Sequence, residues 1–452
     1  MVTRPYPEQA LAERERAWRL VPAHGASHPP ARPAAGVLRP RLLRAGEKLL
    51  VVVLLMAFAG AFQNQLFGLE AREGTWDALD EARSTALRLA WLPTHLAVVM
   101  LCLPHLGPLW RLAQSVRWLS LLVLLCALSV LWSVAPVDTL RRAAALAVTT
   151  MFGLYLAQRF DRATQLRLLA WALGIAVLVS LVALVVVPEA VLMTEKHAGR
   201  LRGLFIHKNV FGFTLVIELL ALLLLLRTSR AWSPAIVAAL VGATLALALT
   251  GSATSWVLAA ALVVLAFALM VLRSGQSRAP ARLLFTLAIV LTGLVAVPLL
   301  VDPVAGALGR DTTLSGRLWL WQEALARAAA RPLLGYGFGA AWAPGLELPL
   351  IVRIQAGWAP EDAHNGYLEL VLSLGAVGLA VFLLGLGAIF RRLWHEIRFG
   401  DTLGAYWCGL FVGLTLLLNL TESYLPRQNS LIWVLLVSTA AGLAARPPPG
   451  GR

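Results

Sequence analysis

The sequence predicts an all-α integral membrane protein with about twelve transmembrane helices. Hydrophobic residues make up 59% of the 452 residues and charged residues only 14%, a balance that a soluble core cannot absorb. The apolar residues also occur in runs of roughly 17 to 25, the length that an α-helix needs to cross a hydrocarbon core. Together these observations favour membrane-spanning helices.

Twelve apolar runs can be placed along the chain, near residues 47–67, 87–104, 118–134, 143–158, 168–188, 210–226, 233–250, 254–272, 283–301, 366–390, 402–420 and 430–445. Arginines cluster in every second connection between them, which the positive-inside rule assigns to the cytoplasm. An even number of spans then places both termini on the cytoplasmic side.

The membrane domain is predicted over residues 46–446, between a basic arm and a short tail at 447–452. The arm, residues 1–45, is rich in Arg, Ala and Pro and is predicted to be mostly disordered and cytoplasmic. Its residues 10–20 form either a solvated tail or a short amphipathic helix on anionic lipid. The net charge of +15 follows mostly from topology, so no nucleic-acid partner is predicted.

Two predicted outer segments carry cations that topology does not require. The first is residues 197–209, with Arg200, Arg202, His207 and Lys208. The second is the long extracytoplasmic interruption of about 302–365, which includes Arg317. Long loops tolerate positive charge, so the second exception is the weaker of the two.

The long interruption is predicted to keep local structure. Residues 314–330 fit an amphipathic helix, ended by Pro332 and followed by a turn over residues 335–339. The expected apolar face consists of Leu318, Trp321, Leu325 and Ala328. Four tryptophans suit a segment at the lipid headgroups, namely Trp319, Trp321, Trp342 and Trp358.

The signatures of nucleotide-driven and metal-assisted proteins are missing from the sequence. There is no GxxxxGK[ST] loop, no HExxH and no DxD. The three cysteines, Cys102, Cys126 and Cys408, lie inside apolar runs, where cysteine behaves as a small hydrophobe. Neither disulfides nor a metal site is predicted.

The remaining cations and histidines suit one reaction, glycosyl transfer from a lipid-linked diphosphate. A diphosphate leaving group needs its charge neutralised as the bond to the sugar breaks, and Arg202, Arg317 and Lys208 supply that charge without a metal. The acceptor hydroxyl needs a general base near neutral pH. His364 stands where the long interruption enters a predicted helix.

Three local patterns resemble the bacterial O-antigen ligase and polysaccharide polymerase superfamily, and within it the exopolysaccharide polymerases of the succinoglycan type. The first is Arg202-Gly-Leu-Phe-Ile-His-Lys-Asn209-Val-Phe-Gly212. The second is Ser315-Gly-Arg317-Leu-Trp-Leu-Trp321 followed by Arg331-Pro-Leu-Leu-Gly-Tyr-Gly337. The third is His364-Asn365, nine residues, Gly375, two residues and Gly378. Weaker matches are Trp132-Ser133 and Asn419-Leu-Thr-Glu422-Ser.

The resemblance extends from about residue 130 to 435. It implies a metal-independent, inverting glycosyltransferase without a cofactor in the bacterial cytoplasmic (inner) membrane, with its active site outside. The matched arginines would hold the diphosphate and the matched histidine would activate the acceptor. The implied partners are a lipid-linked oligosaccharide, membrane lipids, and a flippase and chain-length regulator of the same pathway.

Each candidate residue also has a structural interpretation. Arg202 would serve as a headgroup anchor, and Arg317 as a solvated residue or one stacked on Trp321. His364 would help to cap the next helix, with Asn365 as the N-cap itself. Further candidates for substrate binding or for orienting the base are Arg200, His207, Lys208, Asn209, Glu361, Asp362 and Glu422.

The sequence leaves open alternatives for the site residues and for the function. His207 is a rival base to His364, and Glu218 and Glu369 are ionisable groups inside apolar runs, where either function or an interhelical hydrogen bond explains them. The predicted function is polymerisation of lipid-linked repeat units. The alternatives are a ligase that moves a finished glycan to a lipid or protein, and a transporter or flippase.

Overall fold

The computed structural model describes residues 35–61, 78–194, 197–228, 233–273, 317–343, 346–356 and 361–445. The chain separates into two units, residues 1–49 and 50–452, and the architecture below is that of the second. Within the described ranges the regular structure is helical, apart from one isolated antiparallel bridge between Leu192 and Leu201.

The described α-helices, in chain order, are α1 (Ala35–Ala59), α2 (Ala78–Cys102), α3 (Leu106–Ser115), α4 (Arg117–Leu128), α5 (Pro136–Arg159), α6 (Arg162–Val186), α7 (Lys208–Thr228), α8 (Pro234–Thr250), α9 (Ala253–Arg273), α10 (Arg317–Ala330), α11 (Glu347–Ala356), α12 (Gly366–Phe399), α13 (Thr402–Leu418) and α14 (Leu431–Ala444). Eleven of the twelve predicted apolar runs coincide with these helices. The run near 283–301 lies outside the described residues.

Five of these segments are long and apolar enough to cross a membrane, judged by length and composition: Leu89–Ser115, Arg162–Val186, Lys208–Thr228, Ala253–Arg273 and Gly366–Phe399. Shorter apolar helices accompany them, including α8, α13 and α14. The chain is therefore a multi-pass membrane protein whose described part is built from helices. The predicted boundary of the basic arm near residue 45 falls inside α1, and residues 1–34 and 446–452 lie outside the described part.

Helix packing brings segments that are distant in sequence into one bundle. α5 packs along α14, α7 packs between α6 and α8, and α4 packs along α12. Their facing side chains form one large apolar core that includes Phe152, Phe211 and Trp433. Consequently the N-terminal ends of α7 and α12 and the middle of α5 lie near the connection between α13 and α14.

The long interruption folds around a small core of its own. Leu320, Ala324 and Ala328 of α10 pack with Leu348 and Val352 of α11 and with the start of α12. The amphipathic helix predicted at 314–330 is confirmed over Arg317–Ala330, but its predicted apolar face is partly wrong, because Leu325 is 58% exposed. The predicted turn is confirmed, with left-handed backbone at Gly335, Gly337 and Gly339.

The expectation that the tryptophans of this segment lie among lipid headgroups is wrong for Trp342. Its side chain is only 6% exposed, and its indole N–H donates to Oε2 of Glu369 at 2.8 Å. Trp321 is half-buried and donates to the carbonyl oxygen of Ala363 at 3.0 Å. Trp358 lies outside the described residues. Trp321 and Trp342 therefore tie the interruption to the histidine-bearing segment and to α12.

Gly375 breaks α12 into two segments. Its backbone, with φ 62° and ψ −160°, is not helical, and only glycine adopts that conformation readily. The rings of Tyr367 and Phe382 lie 6.4 Å apart between centroids, whereas a straight helix would separate these positions by about 22 Å. A short helix over 366–374 therefore meets the membrane helix 376–399 at a sharp bend.

The segment 332–337 fills the break. The amides of Ala376 and Val377 donate to the carbonyls of Pro332 and Leu333 at 2.8 and 3.2 Å. In return, the amides of Tyr336 and Gly337 donate to the carbonyls of Leu372 and Ser373. The backbone groups released by the bend are thus satisfied. This pairing explains Gly335 and Gly375, since a Cβ on Gly335 would meet the backbone of Leu372 and Ser373, and a Cβ on Gly375 would meet the backbone of Leu333.

Candidate active site

His364 lies in a turn whose backbone is fixed at consecutive positions. The amide of Ala363 donates to Glu369 Oε2 at 3.0 Å, and that of His364 donates to Asp362 Oδ1 at 2.9 Å. The amides of Asn365 and Gly366 donate to Ser423 Oγ at 3.1 Å and to the carbonyl of Asn419 at 2.9 Å. We refer to residues 361–366 as the histidine turn and to residues 419–430 as the returning loop.

These contacts hold His364 in a conformation that a free chain avoids. Its φ is +45°, in the left-handed region that disfavours residues with a Cβ. The predicted N-cap is confirmed, because Asn365 Oδ1 accepts from the amides of Tyr367 and Leu368 at 3.1 Å each. The first amides of α12 therefore already have partners within the chain, and a bound anion would have to rely on side chains.

The returning loop places Glu422 beside the imidazole. Oε2 of Glu422 lies 3.4 Å from Nδ1 of His364, and Oδ1 of Asp362 lies 4.0 Å from the same atom. A carboxylate facing Nδ1 favours a proton on that nitrogen and leaves Nε2 with the lone pair of a base. Because the carbonyl of Asn419 also accepts the amide of Gly366 at 2.9 Å, the weak Asn419–Glu422 match forms a structural unit with the histidine turn.

Asp362 is joined to the returning loop by an ion pair. Its Oδ2 accepts from Nη1 of Arg427, which also donates to the carbonyl of Ser423 at 3.0 Å. Burial would raise the pKa of Asp362, but the positive charges of Arg427 and His364 outweigh it and hold that pKa below its ordinary value. Asp362 is therefore an anion at neutral pH.

Residues 197–209, which we call the cationic segment, lie at the N-terminal end of α7. Arg202 is only 4% exposed, with Nη2 3.5 Å from the carbonyl of Ala190, and Lys208 is 9% exposed, with Nζ 3.4 Å from the carbonyl of Gly251. The guanidinium of Arg200 packs against Gly251. Cations this deeply buried are not ordinary headgroup anchors, because an anchor needs its charge in water.

His207 is a neutral hydrogen-bonding group. Burial and the charge of Lys208 lower its pKa to about 4, so it is uncharged at pH 7. The amide of Asn209 donates to its Nδ1 at 3.2 Å, which leaves the proton on Nε2. Asn209 in turn accepts from Ser252 Oγ at 3.0 Å. An Nε2 that carries a proton donates hydrogen bonds, which weakens the interpretation of His207 as a rival base.

The cationic segment lies within electrostatic range of the histidine turn and the returning loop. The pKa of His207 responds to Glu422, which raises it, and to His364, which lowers it. Tyr424 of the returning loop also contacts Phe213 of α7, with ring centroids 5.1 Å apart. The structure thus brings together two sequence patterns separated by more than 150 residues.

The remaining predicted residues lie around this pair of segments. Arg317 is the first residue of α10, one turn before Trp321, which is bonded to the histidine turn; its role stays a prediction. Glu361 is exposed at the start of that turn. Glu369 is confirmed as a structural hydrogen-bonding residue, while Glu218 is 1% exposed within α7.

Sequence reasoning missed two arginines at the site. Arg427 pairs with Asp362, and Arg142 packs against Gly339 within electrostatic range of Glu369 and Asp362. Neither belongs to a recognisable pattern, since Arg142 lies near the start of an apolar helix and Arg427 in a short connection. A cation next to a span on the predicted outer side was the available signal.

The fold and this polar centre define a class: a multi-pass helical membrane protein with a partly buried, histidine-containing site between loops at one end of its bundle. A family model described as O-antigen ligase matches residues 237–383. That range contains Arg317, His364 and Gly375, whereas the cationic segment and the returning loop lie outside it.

A second comparison points to a particular relative. The exopolysaccharide production protein ExoQ of Rhizobium meliloti (strain 1021) is 33% identical over 150 residues, which are 30% of this chain and 34% of that protein. The match therefore spans about a third of the relative's length. The comparisons thus confirm the resemblance to O-antigen ligases and to ExoQ-like exopolysaccharide production proteins.

Proposed function

We propose that this protein is a membrane glycosyltransferase that polymerises lipid-linked oligosaccharide repeat units. The observation that carries the proposal is that Glu422 lies 3.4 Å from Nδ1 of His364, within electrostatic range of a segment that buries Arg202 and Lys208. One side suits a general base and the other suits a phosphate-bearing leaving group. The ExoQ relative, named for exopolysaccharide production, supports the same class of substrate.

In the proposed reaction, an acceptor sugar hydroxyl attacks the anomeric carbon of a sugar attached to polyprenyl diphosphate. The hydroxyl oxygen forms the new glycosidic bond while its proton passes to Nε2 of His364. The bond between the anomeric carbon and the phosphate oxygen breaks, and the diphosphate leaves with the electron pair. Attack opposite the leaving group inverts the anomeric configuration.

The charged groups of the site have different roles in this step. Arg202, Lys208 and Arg317 stabilise the departing diphosphate, because guanidinium and ammonium donors match phosphate oxygens. His207, with its proton on Nε2, donates a further hydrogen bond, while Arg200 and Asn209 shape the segment. Glu422 stabilises the imidazolium that forms on His364. The step consumes neither a nucleotide nor a metal ion, since the diphosphate ester is already activated.

The proposal includes a topology of twelve spans in the bacterial cytoplasmic membrane. Both termini would be cytoplasmic and the site would face outward, where flipped lipid-linked units arrive. A flippase and a chain-length regulator are then the expected partners. Cysteine accessibility at Glu361→Cys and Arg398→Cys tests this arrangement, because a membrane-impermeant thiol reagent should label only the first in intact cells.

A ligase is the nearest alternative, because transfer of a finished glycan would use the same chemistry. The experiment that separates them is analysis of lipid-linked intermediates in a deletion strain. We expect single lipid-linked repeat units to accumulate. Accumulation of long lipid-linked polymer would instead establish the ligase.

A transporter or flippase is the second alternative, favoured by the number of helices alone. It predicts that chemistry at His364 is dispensable. Correctly inserted His364→Ala protein that still supported polymer of normal length would favour the transporter and remove the catalytic assignment.

A further inference from the structure

We propose that Arg427 is a positioning residue that holds the catalytic histidine in place through Asp362. The inference rests on the proposed function and adds a residue that neither the sequence patterns nor the comparisons assign. It also assigns a purpose to the returning loop, which lies outside the region matched by the O-antigen ligase model.

Asp362 connects the histidine turn to Arg427 through direct contacts. Oδ1 of Asp362 accepts the amide of His364, and Oδ2 of the same carboxylate accepts from Nη1 of Arg427. The carboxylate therefore has one oxygen on the turn and one on the returning loop. A bidentate anchor of this kind restricts both the backbone and the direction of the imidazole.

The backbone of His364 is strained, and the contact between Asp362 and Arg427 helps to keep it in that conformation. His364 has a φ of +45°, a conformation that costs free energy and persists only where surrounding contacts over-determine it. The amide bonded to Asp362 belongs to that strained residue. Releasing Asp362 from Arg427 would let the turn relax and move the imidazole away from Glu422.

Arg427 is itself held by contacts with three residues. Nη1 donates to Asp362 and to the carbonyl of Ser423, and the guanidinium carbon lies 5.4 Å from the ring centroid of Tyr424. Ser423 also accepts the amide of Asn365. These contacts hold the arginine against the turn, which fits a positioning role.

The test uses full-length protein in lipid nanodiscs with a purified lipid-linked repeat unit. We expect Arg427→Gln to lower kcat about 10- to 100-fold, because small displacements of a catalytic group are costly, while KM for the donor stays within about twofold. Arg427→Lys should recover part of the loss. Arg398→Gln is the matched control, since Arg398 stacks on Trp394 at the far end of α12 and its loss should leave kcat unchanged.

Asp362→Asn tests the same link from its other end, because the amide retains an oxygen for the His364 N–H. If Arg427 acts through Asp362, then Asp362→Asn, Arg427→Gln and the double variant lose similar factors of kcat. Losses that multiply in the double variant, or a raised KM in Arg427→Gln alone, would show that Arg427 binds substrate and overturn the proposal.

The pH profile provides a readout that a purely structural role would not move. Asp362, Glu422 and His207 are the titratable groups that face the imidazole. Arg427→Gln leaves the negative charge of Asp362 without its counterion, which favours the protonated imidazole of His364. The acidic limb of the profile of kcat against pH should therefore move to higher pH. Asp362→Asn should not produce this upward shift.

Failure of the inference and failure of the proposed function have different outcomes. If His364→Ala is inactive but Arg427→Gln keeps the wild-type kcat and pH profile, only the positioning role is wrong. If His364→Ala retains the wild-type rate, the catalytic assignment fails and the positioning role fails with it.

Discussion

The two sides of the candidate site are built differently. The histidine turn obtains its order from hydrogen bonds to the backbone, with partners on α12 and the returning loop. The cationic segment instead buries its charged side chains, with Arg202 4% and Lys208 9% exposed. A base must point in one direction, whereas a phosphate site must concentrate charge, and each side is ordered for its own task.

This difference predicts distinct consequences for substitutions on the two sides. Changes on the histidine side should act on turnover and its pH dependence. Changes on the cationic side should act on the leaving group and be insensitive to pH near neutrality, because Arg and Lys remain charged there.

The largest effect is expected at His364. His364→Gln should lower polymer formation in cells by about 10²- to 10⁴-fold, the usual contribution of a general base. Polymer length and yield on gels are the measurement, with membrane insertion verified by immunoblot. His395→Gln, in the last part of α12 beside Phe399, is the control and should make normal polymer.

The next effect concerns the cationic segment. Arg202→Gln should lower kcat about 10²- to 10³-fold by removing charge from the leaving group, with no displacement of the pH profile. Turnover of the purified protein at several pH values is the measurement. Arg227→Gln, whose wild-type side chain stacks on Tyr406, should behave as wild type; an equal loss there would make the Arg202 effect nonspecific.

The bend in α12 is expected to matter for stability. Gly375→Ala requires a strained backbone and places Cβ against Leu333, at a cost of about 1–3 kcal/mol or more. The thermal unfolding temperature in detergent should fall. Gly387→Ala in the same helix, with nothing within 4 Å of the added carbon, should leave it unchanged or raise it; equal responses would argue against a required bend.

A smaller effect is expected at Glu422. Glu422→Gln should lower kcat about tenfold, since the amide orients Nδ1 less strongly. Losing a negative charge 3.4 Å from Nδ1 disfavours the protonated imidazole, so the acidic limb should move to lower pH, opposite to the shift expected for Arg427→Gln. Glu347→Gln, which removes an exposed partner of Arg327, is the control. A shift in the same direction for Glu422→Gln and Arg427→Gln would contradict this account.

The sequence predicted the helices well because apolar run length is a local property. It also assigned cations of the short and the long outer segments to one reaction, and His207 of the first segment lies within electrostatic range of His364 at the end of the second. It did not predict the bend at Gly375, because an isolated glycine in an apolar run is compatible with a straight helix. The buried face of α10 was only partly predicted, with Ala328 correct and Leu325 wrong, since its partner α11 could not be located from periodicity.

Arg427 and Arg142 show a further limit. Each lies next to a residue that is distant in the sequence: Arg427 next to Asp362, and Arg142 next to Gly339. A single sequence does not record such proximity. Glu422 was a candidate because it lies in a weak sequence pattern. Its position 3.4 Å from Nδ1 of His364 depends on the fold of the returning loop.

The central claim is that His364 activates an acceptor hydroxyl while the cationic segment receives the diphosphate. The most direct test is to follow polyprenyl diphosphate release and polymer formation together, using purified protein and a lipid-linked repeat unit, with and without a chelator. The account predicts one diphosphate released for each new glycosidic bond, no change with the chelator, and neither product from His364→Gln. Polymer formed by His364→Gln at the wild-type rate, or by wild type only before chelation, would contradict it.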